Sequence, residues 1–174
     1  MAKWTVDLSH SSIDFQVKHM MVTKVKGTFD SFSANVVAES LEDLTDASIS
    51  FDIDAAMINT KNVERDNHLK SGDFFDVDNF PSIKFQSTHI TKSDEDYNLT
   101  GDLTIKDVKK PVTFKVRYNG KGTNPWGVDV YGFEGKTKIN REEFGLTWNA
   151  TLETGGVLVG KEIKISVAIE VNKA

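Results

Sequence analysis

The chain has 174 residues, no cysteine, and 21 lysines and arginines against 26 aspartates and glutamates, a net charge of −5. A domain of this length buries enough surface to stand without covalent staples, and the absence of cysteine excludes disulfides and thiolate metal sites. The acidic balance disfavours a general nucleic-acid binder, whose affinity rests on clustered positive charge.

The opening "MAKWTVDLSH" alternates from its fourth residue and lacks the apolar run of a secretion signal. Nothing resembles a transmembrane span, so a cytoplasmic protein with no integral membrane segment is expected. "SSIDFQVKH" places Ile13, Phe15 and Val17 on one face, and "MMVTK" reads as a short turn. "ASISFDIDA" repeats the alternation through Ile49, Phe51 and Ile53. Lys61 to Lys70 reads as a helix ended by Gly72, with Asp73 able to cap a following turn. Phe80-Pro81 then opens the strand that holds Ile83 and Phe85. "KSDED" is a polar hairpin tip, and "LTGDLTIK" carries Leu99, Leu103 and Ile105. A lysine-rich turn follows, whose Pro111 is expected to begin the next strand, where its missing donor is tolerated. That strand carries Val112, Phe114, Val116 and Tyr118. "YNGKGTNPWG" is a turn-rich connection. "KEIKISVAIEV" alternates through Ile163, Ile165, Val167, Ile169 and Val171. Each strand has one apolar face, the signature of antiparallel sheets. Such a run must close or stack, because open edges invite aggregation. Phenylalanine occurs 11 times, and inward-facing rings suit a barrel whose interior is either filled or holds one small ligand.

The helical segment carries the residues that look most chemical: Arg65, Asp66 and His68. On a helix, Asp66 and His68 point to nearly opposite sides and cannot form a dyad. Asp66 instead faces Lys70 at i+4, an ordinary surface ion pair, while Arg65, His68 and Leu69 share a face suited to the rim of a pocket. A solvated structural helix, a ligand-contacting rim and a catalytic group all remain open on this pattern. The four histidines offer no metal spacing: His10 and His19, if joined by extended chain at about 3.3 Å per residue, lie roughly 30 Å apart. His19 and His68 would be the best candidates for a site assembled from distant segments, but no metal and no cofactor are expected. Nucleophile elbow, phosphate loop and dinucleotide fingerprint are all missing.

"RDNHLKSGDFFDVDNFPSIKF" resembles the signature of the YceI-like family of lipid-binding proteins. The likeness runs the length of the chain: Trp4, Asp7, His10, Ser11, Phe15, Val17 and His19 at the start, then Gly27-Thr28-Phe29. Leu99, Gly101, Leu103, Thr104, Ile105, Pro111 and Val112 match in the hairpin, and Arg141, Phe144, Gly145 and Leu146 match late in the chain. Lys106-Asp107 departs from the Arg-Gly common in the family, and the exported relatives' signal peptide has no counterpart. The resemblance implies an all-β fold: an extended lipocalin-like antiparallel β-barrel of about eight strands, one domain over residues 1–174, with one short helix crossing near one end.

It further implies a lumen that holds a long apolar chain, such as a polyisoprenoid, an isoprenoid quinone or a fatty amide, in a homodimeric protein with no attached enzymatic activity. Phe15, Val17, Phe29, Phe51, Phe74, Phe75, Phe80, Phe85, Phe114, Trp126 and Trp148 are the expected lining. His19, Arg65, His68 and Arg141 are the expected head-group contacts, because cations accept phosphate and histidine donates to a carbonyl. A carrier or sequestering protein is the favoured function. The alternatives are an enzyme acting on such a lipid, with Arg65, His68 or His19 in its chemistry, and a stress-related interaction protein that uses the barrel as a scaffold.

Overall fold

β1 (Ala2–Val6) and β2 (Ser12–His19) run nearly end to end in the computed structural model, which describes residues 2–150, 152 and 157–173. The break between them is tied by side chains. The Asp7 carboxylate accepts the Ser9 N–H at 2.9 Å, and the Ser11 hydroxyl donates to the Asp7 carbonyl at 2.6 Å. The same hydroxyl accepts the Glu170 N–H at 3.0 Å. This is the structural reason for the Asp…His-Ser motif.

β3 (Thr23–Phe29) and β4 (Phe32–Ala38) return antiparallel, β3 against β2 and β4 against β1. β5 (Ser48–Asp54) and the two-residue β6 (Ile58–Asn59) repeat the arrangement against β4 and β3. The three breaks lie side by side, and the second and third are joined by the Asp30 N–H to the Met57 carbonyl and the Asp54 N–H to the Ser31 carbonyl, both at 3.0 Å. Helix α1 (Val63–Lys70) follows, and then β7 (Ser82–Ser93), β8 (Asp96–Ile105), β9 (Val108–Thr123), β10 (Asp129–Asn140) and β11 (Val159–Lys173).

Eight strands close a ring in the order β1-β4-β5-β7-β8-β9-β10-β11 and back to β1. The expected all-β barrel with one helix is therefore the observed fold. Beyond the breaks, β2 takes over the edge of β11 from β1, and β6 pairs with β3 alone. There the ring is open between β6 and β7, and the α1 segment bridges the gap.

Local details differ from the sequence expectation. The helix starts at Val63, because Lys61 adopts a positive φ of 62° and the Asn62 side chain caps the Arg65 N–H. It stops at Ser71, whose N–H returns to the His68 carbonyl, and not at Gly72. Pro111 lies within β9 opposite Asp102, on a stretch that pairs with β8 but precedes the pairing with β10, so the missing N–H costs no ladder bond on the open edge.

Two motif glycines are fixed by space. A Cβ at Gly27 would come within 2.8 Å of the Phe15 ring, and one at Gly101 would meet the Gln86 carbonyl and lie 2.5 Å from the Phe85 ring. Backbone cannot yield as a flexible side chain can. Gly101→Ala is expected to lower stability by about 1–3 kcal/mol, read as a lower urea midpoint at unchanged slope.

Candidate ligand-binding lumen

The inward faces enclose an apolar lumen along the barrel axis. The cavity has a volume of about 200 Å³. Of the lining residues only Asp14 and Arg141 carry charge. One end is sealed: the β4–β5 connection folds Leu41 and Leu44 inward, nearly fully buried, and the Tyr97 hydroxyl donates to the Glu42 carbonyl at 3.2 Å. At the other end Phe15, Val17, Leu69, Phe75, Val159 and Ile163 line the lumen yet are only half-buried, and the mouth lies there.

Helix α1 and the turn after it form a roof. Leu69, Phe74 and Phe75 face the lumen, and Phe75 meets Phe29 edge-on at 6.0 Å. Two charged residues of the helix, Arg65 and Asp66, hold the roof in place. Thr60, almost fully buried, is the hub. Asp66 accepts its backbone N–H at 2.8 Å and its hydroxyl at 2.5 Å, while Arg65 donates to its hydroxyl at 2.8 Å and its carbonyl at 2.7 Å. Asp66 therefore serves Thr60; the expected surface pair with Lys70 does not form. His68 lies 2.8 Å from Asp73 across the end of the helix, with its ring against Phe74 and Trp148 at 5.1 and 4.7 Å.

Of the residues expected in the lining, Phe15, Val17, Phe29, Phe51, Phe74, Phe75, Phe85 and Phe114 border the lumen. Trp148 stands behind Phe74, and Phe80 is half-buried outside the lining. Trp126 is 82% exposed at the tip of the β9–β10 hairpin, where the Asn124 side chain accepts its N–H. Alternation does not carry through a turn, so its place near a strand gave no orientation. Sequence reasoning also passed over the aliphatic half of the wall. Ile163, Ile165, Val167 and Ile169 of β11 all line it; their alternation was visible, but the weight given to aromatics hid their role.

Among the expected head-group residues, Arg141 alone borders the lumen. It is 1% exposed and donates to the carbonyls of Leu146 at 2.5 Å, Gly160 at 2.8 Å and Val159 at 3.4 Å. Burial pulls its pKa below the ordinary arginine value, with Glu142 opposing. The rest of its motif positions it: residues Arg141–Phe144 form one tight turn that Gly145 closes at φ 80°, and the Leu146 N–H returns to the Arg141 carbonyl. Arg65 and His68 belong to the roof, and His19 pairs with Val159 beside the mouth without lining the lumen.

The three-membered cluster of potential ligand atoms among the described residues is Asp7, His10 and Glu170, which includes neither His19 nor His68. His10 lies 2.8 Å from Asp7 and 3.4 Å from Glu170. Hydrogen bonds from Ser9 and His10 hold the Asp7 carboxyl well below the usual range, and Asp7 in turn raises the pKa of His10.

Fold and cavity together define a lipocalin-like barrel with a mostly aliphatic and aromatic interior. The chain belongs to the YceI-like family, residues 4–171 matching the YceI-like domain. It is similar to a UPF0312 protein of Staphylococcus aureus strain MRSA252, 46% identical over 171 residues that cover 98% of this chain and 97% of that protein. Among solved structures it resembles BcnA of Burkholderia cenocepacia, with 26% identity and a TM-score of 0.82 over 95% of this chain and 98% of that one. A polyisoprenoid-binding domain from Saccharophagus degradans shares the fold over the whole of both chains, with a TM-score of 0.71 at 11% identity.

Arg141→Met, which leaves buried carbonyls without donors, is expected to cost about 1–3 kcal/mol, measured by urea unfolding. The His10 ring should titrate in proton NMR with a midpoint above 6.5 and move back toward 6.5 in Asp7→Asn. Because the folded value is the raised one, this contact adds stability below about pH 6.5 and loses it as pH climbs through the folded midpoint.

Proposed function

We propose that the chain binds a long-chain amphipathic lipid (a polyisoprenoid, an isoprenoid quinone or a fatty amide) in the lumen and acts as its carrier or sequestering protein. The observation that carries this reading is the lumen itself: long, sealed at one end, and bordered by charge only at Asp14 and Arg141. Each buried methylene contributes about 0.8 kcal/mol, so one five-carbon isoprene unit contributes roughly 3–4 kcal/mol before costs. A few units offset the entropy lost on binding. The wall needs only to be apolar and shaped, which Phe15, Phe51, Phe114 and the β11 aliphatics satisfy.

Arg141 supplies the head-group contact in this reading. Three carbonyls engage three of its five N–H groups. No ion-pair partner faces it among the described residues, which favours a phosphate, carbonyl or amide oxygen beside it. Carrier is favoured over enzyme because Arg65 and Asp66 are engaged with Thr60, beneath the helix and not in the lumen. Gly135 supports an occupied interior. It lines the lumen, yet a Cβ there would meet only ordinary contacts at 3.7 Å, so neighbouring side chains do not require a glycine. A glycine inside a strand then marks close approach by something else.

Native mass spectrometry of freshly purified protein, followed by organic extraction, is expected to reveal a bound long-chain lipid whose mass stays constant on prolonged incubation. Gly135→Phe, which fills the lumen from within, should remain folded and emerge free of lipid. Wild-type protein that carries no lipid and takes up neither a polyprenol nor a ubiquinone would remove the basis for this function. Conversion of the bound lipid would replace the carrier with an enzyme.

A further inference from the structure

Three of the eight exposed large hydrophobic residues among the described residues are consecutive: Met20 at 43%, Met21 at 58% and Val22 at 80%. They cap the β2–β3 hairpin, which projects from the open end of the barrel. Val17 of this hairpin lines the lumen, His19 pairs with Val159 at the mouth, and the Met20 N–H donates to the Leu158 carbonyl at 2.8 Å. Met20 and Met21 have φ of 52° and 64°. The Val22 N–H returns to the His19 carbonyl at 3.2 Å, so they are the central pair of a β-turn; with both central φ positive such a turn favours Asn-Gly, and side chains there strain against the backbone. Local turn chemistry argues against this methionine pair, and such a departure points to a use for it.

The charge around the tip is as uneven as its apolarity. From Phe15 to Phe29 the chain has three lysines and no acidic residue, although the whole molecule carries −5. Lys18 stands directly opposite Lys24, and Lys26 stands opposite Gln16, on the outward face that alternates with Val17. Like charges directly opposite each other destabilise a hairpin. None of the three has a carboxylate partner among the described residues. The hairpin thus presents an apolar tip on a basic collar, beside the opening through which a lumen ligand must pass.

We propose that this hairpin docks the barrel mouth on an anionic lipid surface. Met20, Met21 and Val22 enter the boundary between head groups and acyl chains, and Lys18, Lys24 and Lys26 meet the negative head groups. Apolar insertion combined with basic attraction is the physics of interfacial anchoring. Docking brings the mouth against the bilayer, so an apolar ligand can cross without passing through water. The surface exists whatever the lumen holds, so vesicle binding is read independently of cargo. Lysines also guard open edges against pairing with another chain, and β3 is such an edge from Thr23 to Gly27. Self-association is therefore the competing outcome.

The test is cosedimentation of the full chain with vesicles of phosphatidylcholine alone and of phosphatidylcholine mixed with phosphatidylglycerol, beside sedimentation velocity without vesicles. Binding is expected on the mixed vesicles and not on the neutral ones, and should fall as salt screens the collar. Met20→Asn/Met21→Gly installs the pair the turn favours, so it should melt no lower than wild type while binding about tenfold more weakly or worse. Each of Lys18→Gln, Lys24→Gln and Lys26→Gln should cost roughly fivefold. The proposal is overturned if wild type ignores the anionic vesicles, if it binds both kinds equally, or if the turn variant binds as wild type does. A concentration-dependent dimer that the turn variant abolishes, without vesicle binding, overturns it in favour of a second copy.

Discussion

β11 joins the sheet to itself. It pairs with β10 along one edge and with β2 and then β1 along the other, and these ladders turn an open sheet into a ring. Closure removes the exposed edges around the sealed half and separates inside from outside at every position. Inward side chains away from the mouth are then shielded from water, which favours Ile, Val, Leu and Phe along the wall. The same closure fixes the spacing of opposite walls. Eight strands leave an interior that side chains either fill or leave open for one small ligand, and here the aliphatic wall of β11 leaves it open.

The side-by-side breaks in the first six strand segments open that ring at one end. If β1–β2, β3–β4 and β5–β6 were each continuous and β6 reached β7, the barrel would be closed along its whole length. Interrupting them at one level lets the sheet part between β6 and β7, and the roof of α1 with Phe74 and Phe75 covers the gap. A roof needs an apolar underside and a firm attachment. Thr60 provides the attachment by engaging both Arg65 and Asp66.

Several residues with the look of chemistry are thus explained by architecture. The Asp7, His10 and Ser11 motif fastens a strand break to β11, and Gly145 lets Arg141 turn back against its own connection. Arg141 differs from the others in one respect. It is a buried cation that holds its surroundings together and also borders the lumen.

The sequence by itself determined most of β2, β5, β7, β8, β9 and β11 and which of their faces turn inward, because alternation is a local property of the pleated chain and needs no knowledge of the partner strand. It also placed Phe74 and Phe75 in the lining, where the structure has them under α1. It misplaced Trp126, whose turn breaks the alternation, and misread Asp66, whose partner Thr60 precedes the helix and comes into reach only through the positive φ of Lys61. Which inward residues border a void, and which merely touch each other, was decided by the tertiary structure alone. Emptiness is a distance between strands far apart in sequence, and no local pattern of residues encodes that distance.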